Sequence, residues 1–251
     1  MNRYFLKLSY NGANYHGWQI QPNAPSVQET LNDCLSRLFR QEINVVGCGR
    51  TDTGVHAKMF YAHFNLDESP DESEFSKILR KLNSILPKDI GVDDLFQVKP
   101  EAHARFDAVS RTYQYRILRK KDPFLSDTAY PYFYGKLDVD MMNRGAELIK
   151  KYRDFTSFSK LHTDVKTNNC TITTAFWEYR EPLLVFTISA DRFLRNMVRA
   201  IVGTLIDLGR GKISMNDLVR IIEAKDRSEA GFSVPAKGLF LVAVEYPADI
   251  R

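Results

Sequence analysis

The chain has 251 residues, of which 44% are hydrophobic and 26% are charged, values typical of a folded protein and not of a disordered or fibrous one. No apolar run approaches the roughly 18 residues of a membrane span, so we expect a cytoplasmic protein without a membrane partner. The net charge of +4 is too small to indicate a nucleic-acid partner by itself, so that question depends on how the charges are distributed.

The first half of the chain begins with a strand pattern. Tyr4 to Tyr10 alternates apolar and polar residues, and Asn11-Gly12 follows as a turn. Ser26 stands three residues before Glu29, as in a capping box, and the apolar residues after it recur at helical spacing. Further patterns predict strands at Ile43 to Gly47, Val55 to Leu66 and Ile90 to Val98, and a helix at Glu74 to Leu86.

The second half repeats this order of elements. Its predicted strands are Ser110 to Leu118, Thr171 to Tyr179, Leu183 to Ala190 and Leu239 to Tyr246, and its predicted helices are Val139 to Lys150, Arg192 to Leu208 and Asp217 to Ala224. We therefore predict an α+β fold of two similar split βαβ halves, of the ferredoxin-like and RNA-recognition type, at residues 1–106 and 107–251. The halves are expected to share a central, mainly antiparallel sheet with a cleft between them.

Residue types that bind metals or cofactors do not occur in the usual spacings. Three cysteines lie far apart with no CxxC pair, and the five histidines include no HExxH. Neither GxGxxG after a strand nor a P-loop is present. We therefore expect neither a metal nor a cofactor.

A short polar loop carries the strongest chemical signal. The run CGRTDTGVHA, at residues 48–57, leaves one predicted strand and enters the next, and its glycines allow a tight turn and a close approach of a ligand to the main chain. Such a loop can present Asp52, beside Arg50, as a carboxylate nucleophile. The alternative is that Asp52 binds its own backbone in an Asx-turn, the commoner role of an aspartate in a glycine-flanked loop.

Tyr113 allows two interpretations. Strand alternation places it on one face with Tyr115 and Ile117, which is typical of a core residue. A tyrosine can also offer a ring for stacking and a hydroxyl for proton transfer. The residues alone do not decide between these roles.

Positive charge is concentrated in two segments. Arg192, Arg195 and Arg199 fall at i, i+3 and i+7 of a predicted helix and would form one stripe, which is either a solvated face or a phosphate contact. The second segment interleaves Phe106, Tyr113 and Tyr115 with seven cations, namely Lys99, Arg105, Arg111, Arg116, Arg119, Lys120 and Lys121. Cations among aromatic rings are typical of a surface for single-stranded or loop RNA.

These motifs together resemble one known family. The run GRTDTGVHA, with YHGWQ upstream, is similar to the signature of the bacterial tRNA pseudouridine synthase A family, usually written GRTDAGVH. Further blocks follow in family order, namely HARF (103–106), RTYQY (111–115), DFTSF (154–158), NMVRAIVG (196–203) and GLFLV (238–242). The resemblance covers Tyr10 to Tyr246; it departs at Thr53, where alanine is usual, and does not extend to the loop Ser159 to Asn169.

The resemblance implies specific roles for the matched residues. Asp52 would attack the target uridine, and Arg50 would help hold the flipped-out nucleotide. Tyr113 would pack on the target base, and Arg199 would pair with Asp52 through its planar guanidinium. His103, Ala104, Arg105 and Phe106 would contact the RNA.

The resemblance also implies the reaction and the partners. The glycosidic bond of a uridine would break, and the uracil would rotate and rejoin the ribose through ring carbon five, which makes the enzyme an isomerase without a cofactor. Transfer RNA is the implied substrate, at positions 38, 39 and 40 of the anticodon stem-loop, and a homodimer is the implied assembly. The preferred position stays open, as does attack on the sugar or on the base.

Three other functions are alternatives to this one. A non-catalytic RNA-binding module could also be built from two split βαβ halves. A zinc-dependent base deaminase requires H-x-E and P-C-x-x-C, and the sequence contains neither. A metal-dependent nuclease would need clustered carboxylates, whereas the acidic groups from Asp67 to Glu74 are typical of a solvated turn and helix start.

Overall fold

A computed structural model describes residues 2–160 and 167–250. The central part of the loop Ser159 to Asn169, whose contacts the sequence left open, therefore lies outside the described residues. The chain divides into two compact units. The first consists of Met1–Val109 with Leu241–Arg251, and the second consists of Ser110–Phe240.

The first unit packs two helices against antiparallel strands. Its strands are β1 (Asn2–Tyr10), β2 (Val46–Gly47), β3 (His56–Leu66) and β4 (Ile90–Val98), and its helices are α1 (Val27–Phe39) and α2 (Phe75–Ile85). The strands lie in the order β4-β1-β3, with β2 beside β3, so that Leu6 lies opposite both Ala62 and Leu95. Leu6 is fully buried together with Leu31 and Leu35 of α1, and these side chains form the apolar core between helix and sheet.

Helix α1 begins where the sequence places its start. The Ser26 hydroxyl accepts a hydrogen bond from the Glu29 backbone N–H at 3.2 Å. This bond satisfies one of the N–H groups that the first turn leaves without a helical partner.

The predicted strand at Ile43 to Gly47 was too long, because only Val46–Gly47 pairs with β3. Side chains of α1 take up the backbone groups that would otherwise extend the ladder. The Ile43 N–H donates to the Ser36 hydroxyl at 2.9 Å, and the Val45 N–H donates to the Asn32 side-chain oxygen at 2.9 Å. Backbone groups satisfied in this way do not require a neighbouring strand.

The second unit contains three helices and a second group of strands. The strands are β5 (Ser110–Leu118), β6 (Tyr130–Pro131), β7 (Ile172–Arg180) and β8 (Leu183–Ala190), and the helices are α3 (Val139–Ile149), α4 (Met197–Gly209) and α5 (Met215–Ala224). Strands β5, β8 and β7 pair antiparallel in that order, and the two residues of β6 run parallel to β5. Helix α4 is buried over most of its length and forms the core of this unit.

Helix α4 begins five residues later than predicted, at Met197 instead of Arg192. Asn196 precedes it in the left-handed region, with φ of 67°, which interrupts a right-handed helix. The Arg195 carbonyl accepts a hydrogen bond from Lys160 at 3.0 Å instead of joining a helical ladder. Arg192 and Arg195 therefore do not share a helical stripe with Arg199, and that prediction was wrong.

The last strand, β9 (Leu239–Glu245), connects the second unit back to the first. Its residues from Leu241 onward belong to the first unit, where they lie beside β3. The predicted fold class is confirmed, since the chain combines helices with a central, mainly antiparallel sheet. None of the helices in the described ranges is long and apolar enough to cross a membrane.

Candidate active site

Asp52 lies in a loop at residues 48–55 that connects β2 to β3, and we name it the Asp52 loop. The Asp52 side chain is half-buried, Arg50 is exposed, and Thr51 between them is buried. Gly54 adopts φ of 76°, and the Val55 N–H donates to the Asp52 carbonyl at 3.1 Å, which closes a tight turn. The loop thus keeps Asp52 and Arg50 within reach of a ligand.

The Asp52 loop is fixed on both sides of the aspartate by an upstream segment. The Trp18 N–H donates to the Thr51 carbonyl at 3.2 Å, and the Gly54 N–H donates to the Tyr15 carbonyl at 3.3 Å. The hydroxyls of Tyr10 and Thr51 are 2.9 Å apart and share a hydrogen bond. These contacts position the Asp52 main chain in advance, which a catalytic carboxylate requires.

Two glycines allow the segment and the loop to pack against each other. Gly17 has φ of +94°, and a Cβ atom at this position would lie 2.3 Å from the Thr51 carbonyl oxygen. A Cβ atom on Gly12 would lie 2.0 Å from the Val55 carbonyl oxygen. No side chain fits at either place without displacing the loop. The segment that contains Gly12 and the YHGWQ run therefore packs closely against the Asp52 loop.

A second cluster of predicted site residues forms a turn at residues 103–107, which we name the His103 turn. The His103 Nδ1 accepts hydrogen bonds from the N–H groups of Arg105 at 3.1 Å and Phe106 at 3.2 Å. The His103 N–H donates to the Asp107 carboxylate at 2.7 Å. Since its Nδ1 is an acceptor, the ring is neutral, and it holds Arg105 and Phe106 at the surface.

His63 of β3 supports this turn from below. It is 5% exposed, and its Nδ1 accepts a hydrogen bond from the Ala104 N–H at 3.1 Å. The Ala104 carbonyl accepts from the Tyr246 hydroxyl at 2.6 Å, so both polar groups of this buried residue are satisfied. Burial, with the positive charge of Arg3, lowers the pKa of His63 to about 4. Burial also lowers the pKa of His103. Both rings are thus neutral near pH 7.

Tyr113 lies in the second unit, on β5. Its ring is half-buried and meets the Phe193 ring edge-on, with the centroids 5.2 Å apart. Tyr115 and Ile117, two and four residues further on, are fully buried. On this face of β5 the core therefore includes Tyr115 and Ile117 but only part of Tyr113. The Tyr113 ring remains accessible to a ligand.

Arg199 also lies in the second unit, in the first turn of α4. Its Nε donates to the Val234 carbonyl at 2.7 Å, and the Val234 N–H donates to the Arg199 carbonyl at 3.3 Å. The side chain is half-buried. These two bonds fix the direction of the guanidinium relative to the helix.

Several of the cations and rings between Lys99 and Lys121 make contacts inside the second unit. Tyr115 is fully buried, so its ring is not available for a base. The Arg116 guanidinium lies 3.8 Å from the centre of the Phe240 ring, and Arg119 donates to the Tyr132 carbonyl at 2.6 Å. These side chains stabilise the second unit, since charged groups close to a ring or a carbonyl replace their hydration with protein contacts.

Some residues of these two sites had no signal in the sequence. His63 and Asp107 hold the His103 turn, yet His63 lies 40 residues upstream of the turn and is merely an alternating position of its strand. The described residues contain no group of three or more histidine, cysteine or carboxylate side chains that could hold a metal ion. The three cysteines, all within the described ranges, are buried and form no disulfide with one another.

Comparison with known proteins gives a consistent result. A family described as tRNA pseudouridine synthase matches residues 152–247. The tRNA pseudouridine synthase A of Parabacteroides distasonis is 53% identical over 250 residues, which cover 100% of this chain and 98% of that protein. The protein of the same name from Bacteroides thetaiotaomicron is 54% identical, with coverages of 100% and 93%. The one from Clostridium acetobutylicum is 41% identical, with coverages of 96% and 98%. Similarity of this extent, in a chain that anchors the GRTDTGVHA loop as described, means that the protein belongs to the tRNA pseudouridine synthase A family.

Proposed function

We propose that this chain isomerises uridine to pseudouridine in transfer RNA, with Asp52 as the nucleophile. The main support for the proposal is the geometry of the Asp52 loop. Hydrogen bonds fix its backbone on both sides of the aspartate, while the Asp52 side chain stays half-buried. Membership of the tRNA pseudouridine synthase A family supports the substrate class, since the relatives are named for action on transfer RNA.

The reaction conserves every atom of the substrate. The Asp52 carboxylate adds to the target nucleotide, either at C1′ of the ribose or on the base ring, and the bond between C1′ and N1 of the uracil breaks. The base turns within its pocket, and a bond forms between C1′ and C5. C5 then loses its proton and N1 gains one, while the carboxylate is released unchanged. Because the base is detached during the reaction, stacking and exclusion of water must retain it.

Other predicted residues receive roles within this proposal. Tyr113 stacks on the target base and is placed to exchange a proton through its hydroxyl. Arg199 pairs with the Asp52 carboxylate, a task that its planar guanidinium suits better than an ammonium would. Arg50, exposed beside Asp52, holds the nucleotide after it has left the helical stack.

The proposed substrate region is the anticodon stem-loop, at positions 38, 39 and 40, and the proposed assembly is a cytoplasmic homodimer. Both proposals come from the resemblance of the sequence motifs. Bases in a stem must be unstacked before a carboxylate can reach them, which makes positions at the end of a stem, next to a loop, favourable targets.

The test of the proposed function is the variant Asp52→Asn. We expect it to abolish pseudouridine formation and to leave affinity for transfer RNA nearly unchanged, because the carboxylate makes the covalent step while phosphate contacts supply most of the affinity. Release of tritium from transfer RNA labelled at C5 of uracil measures the reaction, and filter binding measures affinity. Asp93→Asn, an exposed position on β4, is the matched control and should behave like the wild type.

Two results would contradict the proposal in different ways. Turnover of Asp52→Asn within tenfold of the wild type would remove Asp52 from the role of nucleophile. Binding of transfer RNA by the wild type without any release of tritium would favour the alternative function, a non-catalytic RNA-binding module.

A further inference from the structure

Phe106 is exposed in an unusual way. Its ring is 74% exposed, but it lies on a rigid support instead of on a flexible loop. The His103 ring lies beneath it with the centroids 4.2 Å apart and the planes inclined by 31°, and the Arg105 guanidinium is 5.8 Å from its centre. The His103 ring thus supports the Phe106 ring, while most of the Phe106 residue faces solvent.

The support itself is fixed in several directions. His103 Nδ1 accepts the N–H groups of Arg105 and Phe106, and the His103 N–H is bound by the Asp107 carboxylate. The buried His63 ring meets His103 edge-on at 4.7 Å. A ring held in this manner loses little conformational freedom when a ligand binds to it.

We propose that Phe106 is a stacking platform for an unpaired base of the RNA substrate, with Arg105 as the contact to the adjoining phosphate and His103 as the residue that positions both. An aromatic face next to a cation matches one nucleotide, because the base can stack on the ring while the guanidinium donates hydrogen bonds to the phosphate oxygens. The inference rests on the proposed function for the identity of the RNA.

The platform accepts a nucleotide other than the target uridine. Strand β3 begins at His56, beside the Asp52 loop, and reaches His63, below the platform, seven residues later. At about 3.3 Å per residue the two places are roughly 23 Å apart along the strand. Phe106 therefore contributes to binding of the RNA and not to the chemical step.

The first experiment compares Phe106→Ala and Phe106→Tyr in steady-state tritium release from transfer RNA. We expect Phe106→Ala to raise KM by on the order of tenfold to a hundredfold, with kcat unchanged within about twofold, because one base loses its stacking partner. Phe106→Tyr keeps the ring and should retain the KM of the wild type. Tyr179→Ala, which removes a ring that is 62% exposed on β7, is the matched control and should change neither constant.

The second experiment tests whether His103 acts through Phe106. His103→Ala removes the acceptor of the Arg105 and Phe106 N–H groups and should raise KM at least as much as Phe106→Ala, because it releases both side chains. His103→Asn offers a side-chain oxygen close to the position of Nδ1 and should restore most of the affinity. The double variant of His103→Ala and Phe106→Ala should be no worse than His103→Ala alone, since that variant has already lost the positioned ring.

Several outcomes would overturn the proposal. An unchanged KM for Phe106→Ala in an active enzyme would mean that no base stacks there, and a fall in kcat alone would place Phe106 in the chemical step. A change in sedimentation of Phe106→Ala, with normal RNA affinity, would assign the ring to a contact with a second copy of the chain. If the wild type makes no pseudouridine, the same variants are compared by filter binding, and a loss of affinity then still supports the platform.

Discussion

Tyr113 and Tyr115 lie two residues apart on β5, but their side chains differ in burial. Tyr115 is closed off from solvent and gives its hydroxyl to the Pro235 carbonyl at 2.9 Å. Tyr113 is half-buried, and the ring contact described for it is the edge-on contact with Phe193. The burial of the two rings therefore favours a structural role for Tyr115 and a substrate contact for Tyr113.

Two substitutions separate the possible roles of Tyr113. Tyr113→Ala should abolish activity and lower the free energy of unfolding by roughly 1 to 2 kcal/mol, below the 3 to 5 kcal/mol typical of a ring in the core, because the side chain is half-exposed. Tyr113→Phe should keep the fold and the stacking. If the hydroxyl transfers a proton, this variant slows by about a hundredfold to ten-thousandfold.

Tritium release from labelled transfer RNA measures the activity of both Tyr113 variants, and thermal unfolding measures their stability. A near-normal rate of the phenylalanine variant would leave stacking as the role of the ring. A large loss of stability of the alanine variant, with normal specific activity of the folded fraction, would assign Tyr113 to the core after all.

At the scale of elements, local pattern predicted the regular strands well and the element ends less well. Strands β4, β5 and β8 have the predicted bounds, because alternation reports directly which face of a strand is buried. The predicted start of α4 was wrong because Leu194 is buried outside the helix and imitates helical spacing. Tertiary contacts, and not propensity, decided both this start and the shortened β2.

The candidate site was predictable to a similar degree. The sequence motif identified the Asp52 loop, since its glycines and polar residues are adjacent in the chain. It did not indicate that Trp18 and Tyr15 hold this loop, or that His63 supports His103, because these contacts join segments more than 30 residues apart. Alternation placed Tyr113, Tyr115 and Ile117 on one face of the strand, but it did not show that Tyr115 is buried there while Tyr113 is only half-buried.

The packing of the YHGWQ segment on the Asp52 loop gives a prediction for Gly17→Ala. The new Cβ atom would lie 2.3 Å from the Thr51 carbonyl oxygen, in a backbone conformation that alanine adopts only with strain. We expect the free energy of unfolding to fall by about 2 to 4 kcal/mol and tritium release to fall with it, because the loop must shift. Urea unfolding and the activity assay measure these effects.

Gly91→Ala on β4 is the matched control for Gly17→Ala. Its Cβ atom would meet only the Ser9 hydroxyl oxygen, at 3.5 Å, which is an ordinary contact. Its stability should stay within about 0.5 kcal/mol of the wild type or rise slightly. Equal stability of Gly17→Ala and Gly91→Ala would show that the YHGWQ segment does not pack tightly against the Asp52 loop.

At the scale of the whole molecule, the buried His63 should make stability depend on pH. Its pKa is about 4 in the folded chain, against about 6.5 in an unfolded chain, since burial and then Arg3 disfavour the protonated ring, while Asp107 acts in the opposite direction. The unfolded state therefore binds a proton first on acidification. The contribution is fully present above about pH 6.5 and is lost as the pH falls toward 4.

The size of this effect should be roughly 2 kcal/mol, since one pKa unit corresponds to about 1.4 kcal/mol and solvent screens part of the interaction with neighbouring charges. Urea unfolding between pH 7 and pH 4 measures it. His63→Asn, which keeps an acceptor for the Ala104 N–H but does not titrate, should flatten the dependence over that interval. A variant with the same slope as the wild type would show that other groups cause the acid sensitivity.

The path of the last strand has a consequence for the order of events during protein synthesis. The chain leaves the first unit after Val109 and re-enters it at Leu241, and the Val109 N–H is bound to the Glu245 carbonyl at 2.8 Å. The ribosome thus delivers all of residues 110–240 before the segment that covers the exposed edge of β3. Until then the nascent first unit, with its Asp52 loop already made, carries a β3 edge that only the two residues of β2 cover, and other chains could join the rest of it. A newly made molecule therefore depends on β9 to protect a strand that was made much earlier.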